Sequence, residues 1–318
     1  MTRNEFTFLS SDGRTQLHAV EWLPAGRVRA VLQLSHGLGE HVLRYDPLAE
    51  YLTAHGVAVF GHDHLGHGLS VPPDGVRLWF GTKGSWTFLL DDLRTCRRTA
   101  QKRIPVDADD PVLWFLLGHS LGSFLARAYL IRFPGLADGA ILTGTGQPSA
   151  TLLAFGRALV AEEEKRLGEQ SVSKIALAAA FGTYNLPFAP NRTVYDWLSA
   201  NEDNVDCFMS SPLCGGAPTL GLLREMLTGL QEIGNAKNLR RMKHDTPVLF
   251  LSGTRDPVGN MGKGVRHVER AFRRAGMRDV TAALYTGLRH EILNERERYD
   301  VYADIFHWME SRIGTPQT

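Results

Sequence analysis

The sequence predicts an α/β protein: a mostly parallel central sheet flanked by helices, with a helical cap inserted between two of the strands. Three observations predict it. Short, continuous apolar runs recur along the chain, each of a length suited to a strand buried on both faces. Segments with helical spacing of apolar residues lie between them, and this alternation of strand and helix favours parallel pairing. From about Gln147 to Gly234 the alternation lapses and only amphipathic helical patterns remain. The expected division is a core over residues 1–146, a cap over 147–234 and the rest of the core over 235–318.

The first two strands are expected at 5–10 and 16–23 (QLHAVEWL), where apolar and polar side chains alternate as in half-buried antiparallel strands at a sheet edge, with SDG turning between them. Buried strands follow at AVLQLS (30–35), VAVFG (57–61), VLWFLLG (112–118), GAILTG (139–144), PVLFLSG (247–253) and VTAALYTG (280–287). The intervening helices are LRYDPLAEYLTAHG, stopped by Gly56, then GSWTFLLDDLRTCRRTAQKR, and LGSFLARAYLIRF, stopped by Pro134. Cap helices are expected in TLLAFGRALVAEEEKRLG, SVSKIALAAAFGTY and PTLGLLREMLTGLQEIG.

A chain of 318 residues with 43% hydrophobic content can bury a substantial core. Its 35 basic and 34 acidic residues nearly cancel, and no basic block or aromatic-basic stripe occurs. This argues against a nucleic-acid partner and for small neutral or amphipathic substrates. The opening MTRNEFTFLSSDG lacks the apolar run of a signal peptide, and no apolar stretch approaches the roughly 18 to 20 residues that span a bilayer. A cytoplasmic protein is expected. Cys96, Cys207 and Cys214 form no CxxC pair, so buried free thiols are expected rather than disulfides or a thiolate metal site.

The strongest chemical signal is GHSLG, Gly118 to Gly122, which directly follows the run VLWFLL and directly precedes a helix. Strand, sharp turn and helix are the setting of a nucleophile elbow, which makes Ser120 the candidate nucleophile. A serine needs a base to take its proton, and the base needs an acid to hold its tautomer and stabilise the imidazolium. The chain order Ser, Asp or Glu, His on loops at the carboxyl ends of strands selects Asp256, just past PVLFLSG, and His290, just past VTAALYTG. Asp245 and Asp279 precede their strands, while His267 and His307 fall within helical segments. The oxyanion requires backbone donors, each worth on the order of 3 kcal/mol. Leu121, next to the nucleophile, and Leu38, in the HGLGEH loop between Gly37 and Gly39, are the candidates.

Together, HGLGEHVLRYDPLAEYL, DHLGHGLS, GHSLGS, SGTRDPVG and RHEILNE resemble the monoacylglycerol lipase and lysophospholipase branch of the α/β-hydrolases, the serine aminopeptidase S33-like group. The cap stretch NRTVYDWLSANEDNVDCFMSSPLCGG resembles bacterial lysophospholipases. The resemblance implies the α/β-hydrolase fold and cleavage of a long-chain acylglycerol or lysolipid ester through an acyl-serine. Leu121 stands where many members carry Met, a difference that leaves the backbone donor unchanged.

The run GHDHLGHG (61–68) offers His62, Asp63, His64 and His67 as metal ligands, but neighbours on an extended loop point apart, and the resemblance implies hydrolases that need no metal. Loop anchoring is expected of these residues, and ion pairing and loop support of Glu40, His41 and Arg44. No metal and no cofactor are expected. Cap residues Leu152, Phe155, Leu159, Leu177 and Phe181, with Leu153, Ile175 and Tyr184 beside them in the pattern, either line an acyl tunnel or simply pack. Cys207 and Cys214 are expected near the pocket in packing roles. The expected partner is a small lipid ester, with transient contact between cap and membrane surface. Ser120 excludes the dehalogenases and epoxide hydrolases, which need a carboxylate nucleophile at the elbow. Small-ester hydrolysis, aminopeptidase and acyltransferase chemistry stay open, as does a ligand receptor on a retired hydrolase fold.

Overall fold

The computed structural model describes residues 1–104 and 112–313. The described residues form eight strands: β1 (Thr2–Leu9), β2 (Gln16–Leu23), β3 (Ala30–Ser35), β4 (Val57–His62), β5 (Leu113–His119), β6 (Gly139–Thr143), β7 (Val248–Gly253) and β8 (Val280–Tyr285). They make one sheet in the order β1-β2-β4-β3-β5-β6-β7-β8. The contacts of β2 with β1 and β4 are antiparallel; every other pair is parallel.

Side chains alternate across each strand, so consecutive residues enter opposite cores. Val31, Ala58, Leu116, Leu142 and Phe250 join one cluster with Leu89 of α2 (Trp86–Arg103), Leu125 of α3 (Leu121–Arg132) and Phe272 on the helix Lys263–Arg274. Leu32, Val59, Phe115, Ile141 and Leu249 join the other, with Leu48 and Leu52 of α1 (Asp46–Ala54) and Tyr302 and Ile305 on the helix Arg298–Ile313. A fully buried side chain of this size contributes about 1.5–3 kcal/mol. Both faces being covered, the central strands read as unbroken apolar runs.

Two strands depart from expectation. β2 is buried along most of its length rather than half-buried, because β1 and β4 flank it. Its polar residues are used inside: His18 meets Asp63 at 2.9 Å, and Glu21 receives both Nε and Nη2 of Arg103 at 2.9 Å. Conversely β8, at the end of the sheet, is mostly half-buried, since one edge has no neighbouring strand among the described residues.

Between β6 and β7 the described chain is helical: α4 (Ala150–Leu167), α5 (Lys174–Phe181), α6 (Glu202–Ser210), α7 (Leu220–Ile233) and the short α8 (Ala236–Leu239). Ser149, Ser173 and Thr219 cap α4, α5 and α7, each accepting an N–H at 3.2 Å. α4 packs on α7 and α5, but α7 also lies on α2 and α3. Glu225 of α7 accepts the N–H groups of Gly84 and Trp86 at the start of α2, at 3.1 and 2.9 Å, and Gly229 leaves no room for a side chain against the Trp86 indole. α9 (Lys263–Arg274) and α10 (Arg298–Ile313) are the last helices of the described residues. The parallel strands deliver the loops after β3, β5, β7 and β8 to one edge of the sheet.

Candidate active site

At that edge β5 turns into α3 through Ser120, whose φ of 51° and ψ of −118° are strained for a residue with a side chain. The turn is tight enough that a Cβ on Gly122 would strike the Ser35 carbonyl, and one on Gly118 would strike Gly122. The glycines of GHSLG are thus fixed by close approach. The Ser120 N–H donates to Thr143 O at 2.9 Å, tying the elbow to β6.

His290 lies on the loop after β8 and Asp256 on the loop after β7, and Nδ1 of the first meets Oδ1 of the second at 2.9 Å. The carboxylate is further held by the Val258 N–H at 2.9 Å and Ser252 Oγ at 3.4 Å. Burial works to lower the pKa of His290, but the adjacent Asp256 carboxylate outweighs it and raises the value above that of an ordinary histidine. The imidazole sits between the rings of His119, at 4.7 Å, and Trp197, from the segment between α5 and α6, at 5.1 Å. Burial lowers His119 to about 4, so this neighbour is neutral. Gly144 passes so near that a Cβ there would lie 2.7 Å from His290 Cε1.

Ser120 and His290 line one cavity of about 1160 Å³. Leu38 and Leu121 line it too. Leu121 is the first residue of α3, where an N–H has no partner within the helix. The loop of Leu38 is shaped by Gly39 at φ 69° and by Glu40, which accepts the Gly37 N–H at 2.5 Å and the Tyr45 hydroxyl at 2.9 Å. Arg44 donates to Glu40 at 2.7 Å and, through both terminal nitrogens, to the two oxygens of Glu291 at 2.7 Å each. Asn204 of α6 closes the network on Glu291 at 2.7 Å. Burial would raise the Glu40 carboxyl, but Arg44 and nearby histidines hold it down to about 2. Glu40 and Arg44 therefore support the loop, and His41 takes no part in this network.

Of the four rival residues, Asp245, Asp279 and His307 lie elsewhere. Asp245 pairs with Arg278 at 2.6 Å and Asp279 with Arg312 at 2.7 Å, both on the surface. His307 lies on α10 outside the cavity, whereas His267 lines the cavity from α9. Leu152, Phe155, Leu159, Leu177 and Phe181 all line the cavity, as do Leu153 and Tyr184. Ile175 does not line it and is 56% exposed. Cys96 and Cys214 are buried, Cys214 packing with Leu198 and Phe208, but Cys207 is exposed, contrary to expectation: its place on α6 faces outward. Glu291, Asn204 and Trp197 emerge only here. Glu291 follows His290 directly in RHEILNE, which is the one local signal any of them carries.

The histidine-rich turn anchors β4. Asp63 takes N–H groups from Val42 at 2.7 Å and Leu69 at 2.9 Å, besides His18. His64 lies beside His36 with ring centroids 4.1 Å apart, and His67 stacks on Phe80. Burial lowers His62 and His67 to about 3, keeping both neutral. Among the described residues no group of three or more His, Cys, Asp or Glu side chains is placed to hold a metal ion, and no helix is long and apolar enough to cross a membrane.

Comparison with known proteins places this arrangement. Residues 26–297 match the family described as serine aminopeptidase, S33. The chain is 29% identical over 314 residues to the monoglyceride lipase of Mus musculus, covering 96% of this chain and 90% of the mouse protein. It is 27% identical over 313 residues to the monoacylglycerol lipase of Mycolicibacterium smegmatis, covering 98% and 99%. The carboxyl esterase of Bacillus coagulans, solved in complex with glycerol, superposes with a TM-score of 0.88 at 27% identity, over 99% of this chain and all of that one. The chain belongs to the serine aminopeptidase S33 family and is a serine ester hydrolase with the α/β-hydrolase fold.

Proposed function

We propose that the protein cleaves esters of lipid-like substrates, monoacylglycerols or lysophospholipids, through an acyl-enzyme on Ser120. His290 accepts the Ser120 proton as Oγ attacks the ester carbonyl carbon, and Asp256 stabilises the imidazolium that results. The carbonyl electron pair moves onto oxygen, held by the N–H groups of Leu38 and Leu121. Collapse breaks the bond to the alcohol, which leaves with the proton from His290. Water then repeats the sequence, giving the fatty acid and restoring Ser120. Among the described residues no hydrogen bond joins Ser120 Oγ to His290; such contacts often close only around substrate.

The observation that carries the substrate class is the cavity lining: Leu152, Phe155, Leu159, Leu177 and Phe181 of α4 and α5 present an apolar wall to the space that holds Ser120 and His290. An apolar wall of this kind suits an acyl chain. The relatives named for monoglycerides point the same way. An aminopeptide substrate would need a free carboxylate for its ammonium, and the lining carboxylates Glu40 and Glu291 are both engaged by Arg44. Residues 147–234 then act as the cap that selects the ester. Leu152, Phe155, Ile175, Leu186 and Val194, all exposed on it, support transient contact with a lipid surface. The test is kcat/KM for monoacylglycerols of rising chain length. It should climb until the cavity is full; a preference for acetyl esters would replace the lipase reading with a small-ester one.

A further inference from the structure

The acid loop that carries Asp256 leads directly into α9, and the Met261 N–H donates to Asp256 O at 2.8 Å just before the helix begins. Along α9, Lys263, His267 and Arg270 are spaced by four and three residues, which places them on one face. All three line the cavity that holds Ser120. The cations Arg266 and Arg273 are matched by Glu269 of the same helix, at 2.9 and 3.2 Å. Lys263, His267 and Arg270 have no carboxylate partner among the described residues. Elsewhere on the lining, Glu40 and Glu291 share the single guanidinium of Arg44, which offsets one of their two charges. The cationic side chains of the cavity lining are thus concentrated on α9, where no carboxylate answers them, and they are exposed rather than buried, as at a mouth.

From this we propose that the α9 face binds an anionic head group on the ester substrate, so that the preferred substrates are lysophospholipids with an accessible phosphate rather than neutral monoacylglycerols. The inference rests on the ester-hydrolase reading and narrows it. The apolar wall of α4 and α5 takes the acyl chain, which assigns the anion to the leaving alcohol. Lys263 and Arg270 supply the charge, and His267 between them supplies a ring N–H. Both cations remain in contact with water, so their effect falls with salt.

The test compares 1-octanoylglycerol with 1-octanoylglycerol 3-phosphate at low ionic strength, in the wild type and in the double variant Lys263→Glu/Arg270→Glu. The wild type should favour the phosphate ester. The variant should lose roughly tenfold or more in kcat/KM for it, mainly through KM, while the neutral ester changes by no more than about twofold. A third ester carrying its carboxylate at the far end of the acyl chain should respond little; if it loses most, the head-group assignment is overturned. Calorimetric binding of octyl phosphate needs no turnover. Tighter binding than octyl glycerol, lost in the variant, supports the site, and equal binding of the two overturns it. If no ester is cleaved while octyl phosphate still binds through Lys263 and Arg270, the hydrolase reading fails and the anion site stands.

Discussion

The Nδ1 of His290 and the Oδ1 of Asp256 meet at 2.9 Å, with 2% of the histidine side chain and none of the aspartate open to solvent. Burial alone would lower the histidine pKa, and the paired carboxylate reverses the sign. A base must be neutral to act, so kcat/KM should rise with pH through an apparent pKa above the ordinary histidine value of about 6.5. Asp256→Asn should cost up to roughly 10⁴ in kcat and move that acid limb to lower pH. A pH–rate profile checks both. If Asp245→Asn or Asp279→Asn proved more damaging, the choice of acid would be wrong.

Glu40 holds the Gly37 N–H, the Tyr45 hydroxyl and Arg44, and so fixes the loop carrying Leu38. Its folded pKa of about 2 lies below the ordinary glutamate value of about 4.3, so its contribution to stability is present above the latter and is lost as pH falls toward the former. Glu40→Gln should lower the melting temperature at pH 7, and the gap from wild type should narrow between about pH 4 and pH 2. A gap that stays constant over that range would mean Glu40 acts by shape rather than by charge.

Arg127 is fully buried, and burial lowers it to about 9, which still leaves it charged at neutral pH. It donates to Gly146 O and Gln147 Oε1, where the helical insertion begins, at 2.8 Å each, and to Ile233 O, where α7 ends, at 3.4 Å. Arg127→Leu should strand these acceptors and cost about 2–4 kcal/mol. Denaturant unfolding reads this directly, and a change below about 0.5 kcal/mol would show that the two ends of the insertion hold together without the clasp.

Acyl-length preference should reside in single side chains of α4 and α5. Removing the whole insertion would be a poor test, because α7 caps α2 and packs on Trp86. Leu159→Trp, which fills the cavity, should reduce kcat/KM for dodecanoyl esters and spare butanoyl esters. Each methylene that loses its place costs about 0.8 kcal/mol, close to fourfold. Equal loss on both esters would place Leu159 outside the acyl path.

The residues at the centre of the site were legible because each sits at a local landmark. Ser120 follows an apolar run and precedes a helix; Asp256 and His290 follow the last two strands. The network that braces them was not. Arg44 and Glu291 stand 247 positions apart, and Asn204 belongs to an insertion with no periodic tie to either. Only tertiary folding brings such groups together. For the same reason β2 looked half-exposed: its alternating polar residues signal a solvent face, yet His18 and Glu21 are buried in ion pairs with distant partners. Helical apolar stripes likewise left the cap residues undecided between tunnel and packing, and Ile175 proves to serve neither the cavity nor the core.

The most direct measurement is covalent labelling of the nucleophile. Wild-type protein is treated with a fluorophosphonate, its intact mass and peptide map are recorded, and residual activity on p-nitrophenyl octanoate is followed alongside Ser120→Ala. One phosphonyl group should appear per chain, on the peptide containing Ser120, in step with loss of activity. Ser120→Ala should stay folded, remain unlabelled and lose esterase turnover by several orders of magnitude. Labelling at another residue, or near-wild-type activity in Ser120→Ala, would contradict the acyl-serine mechanism.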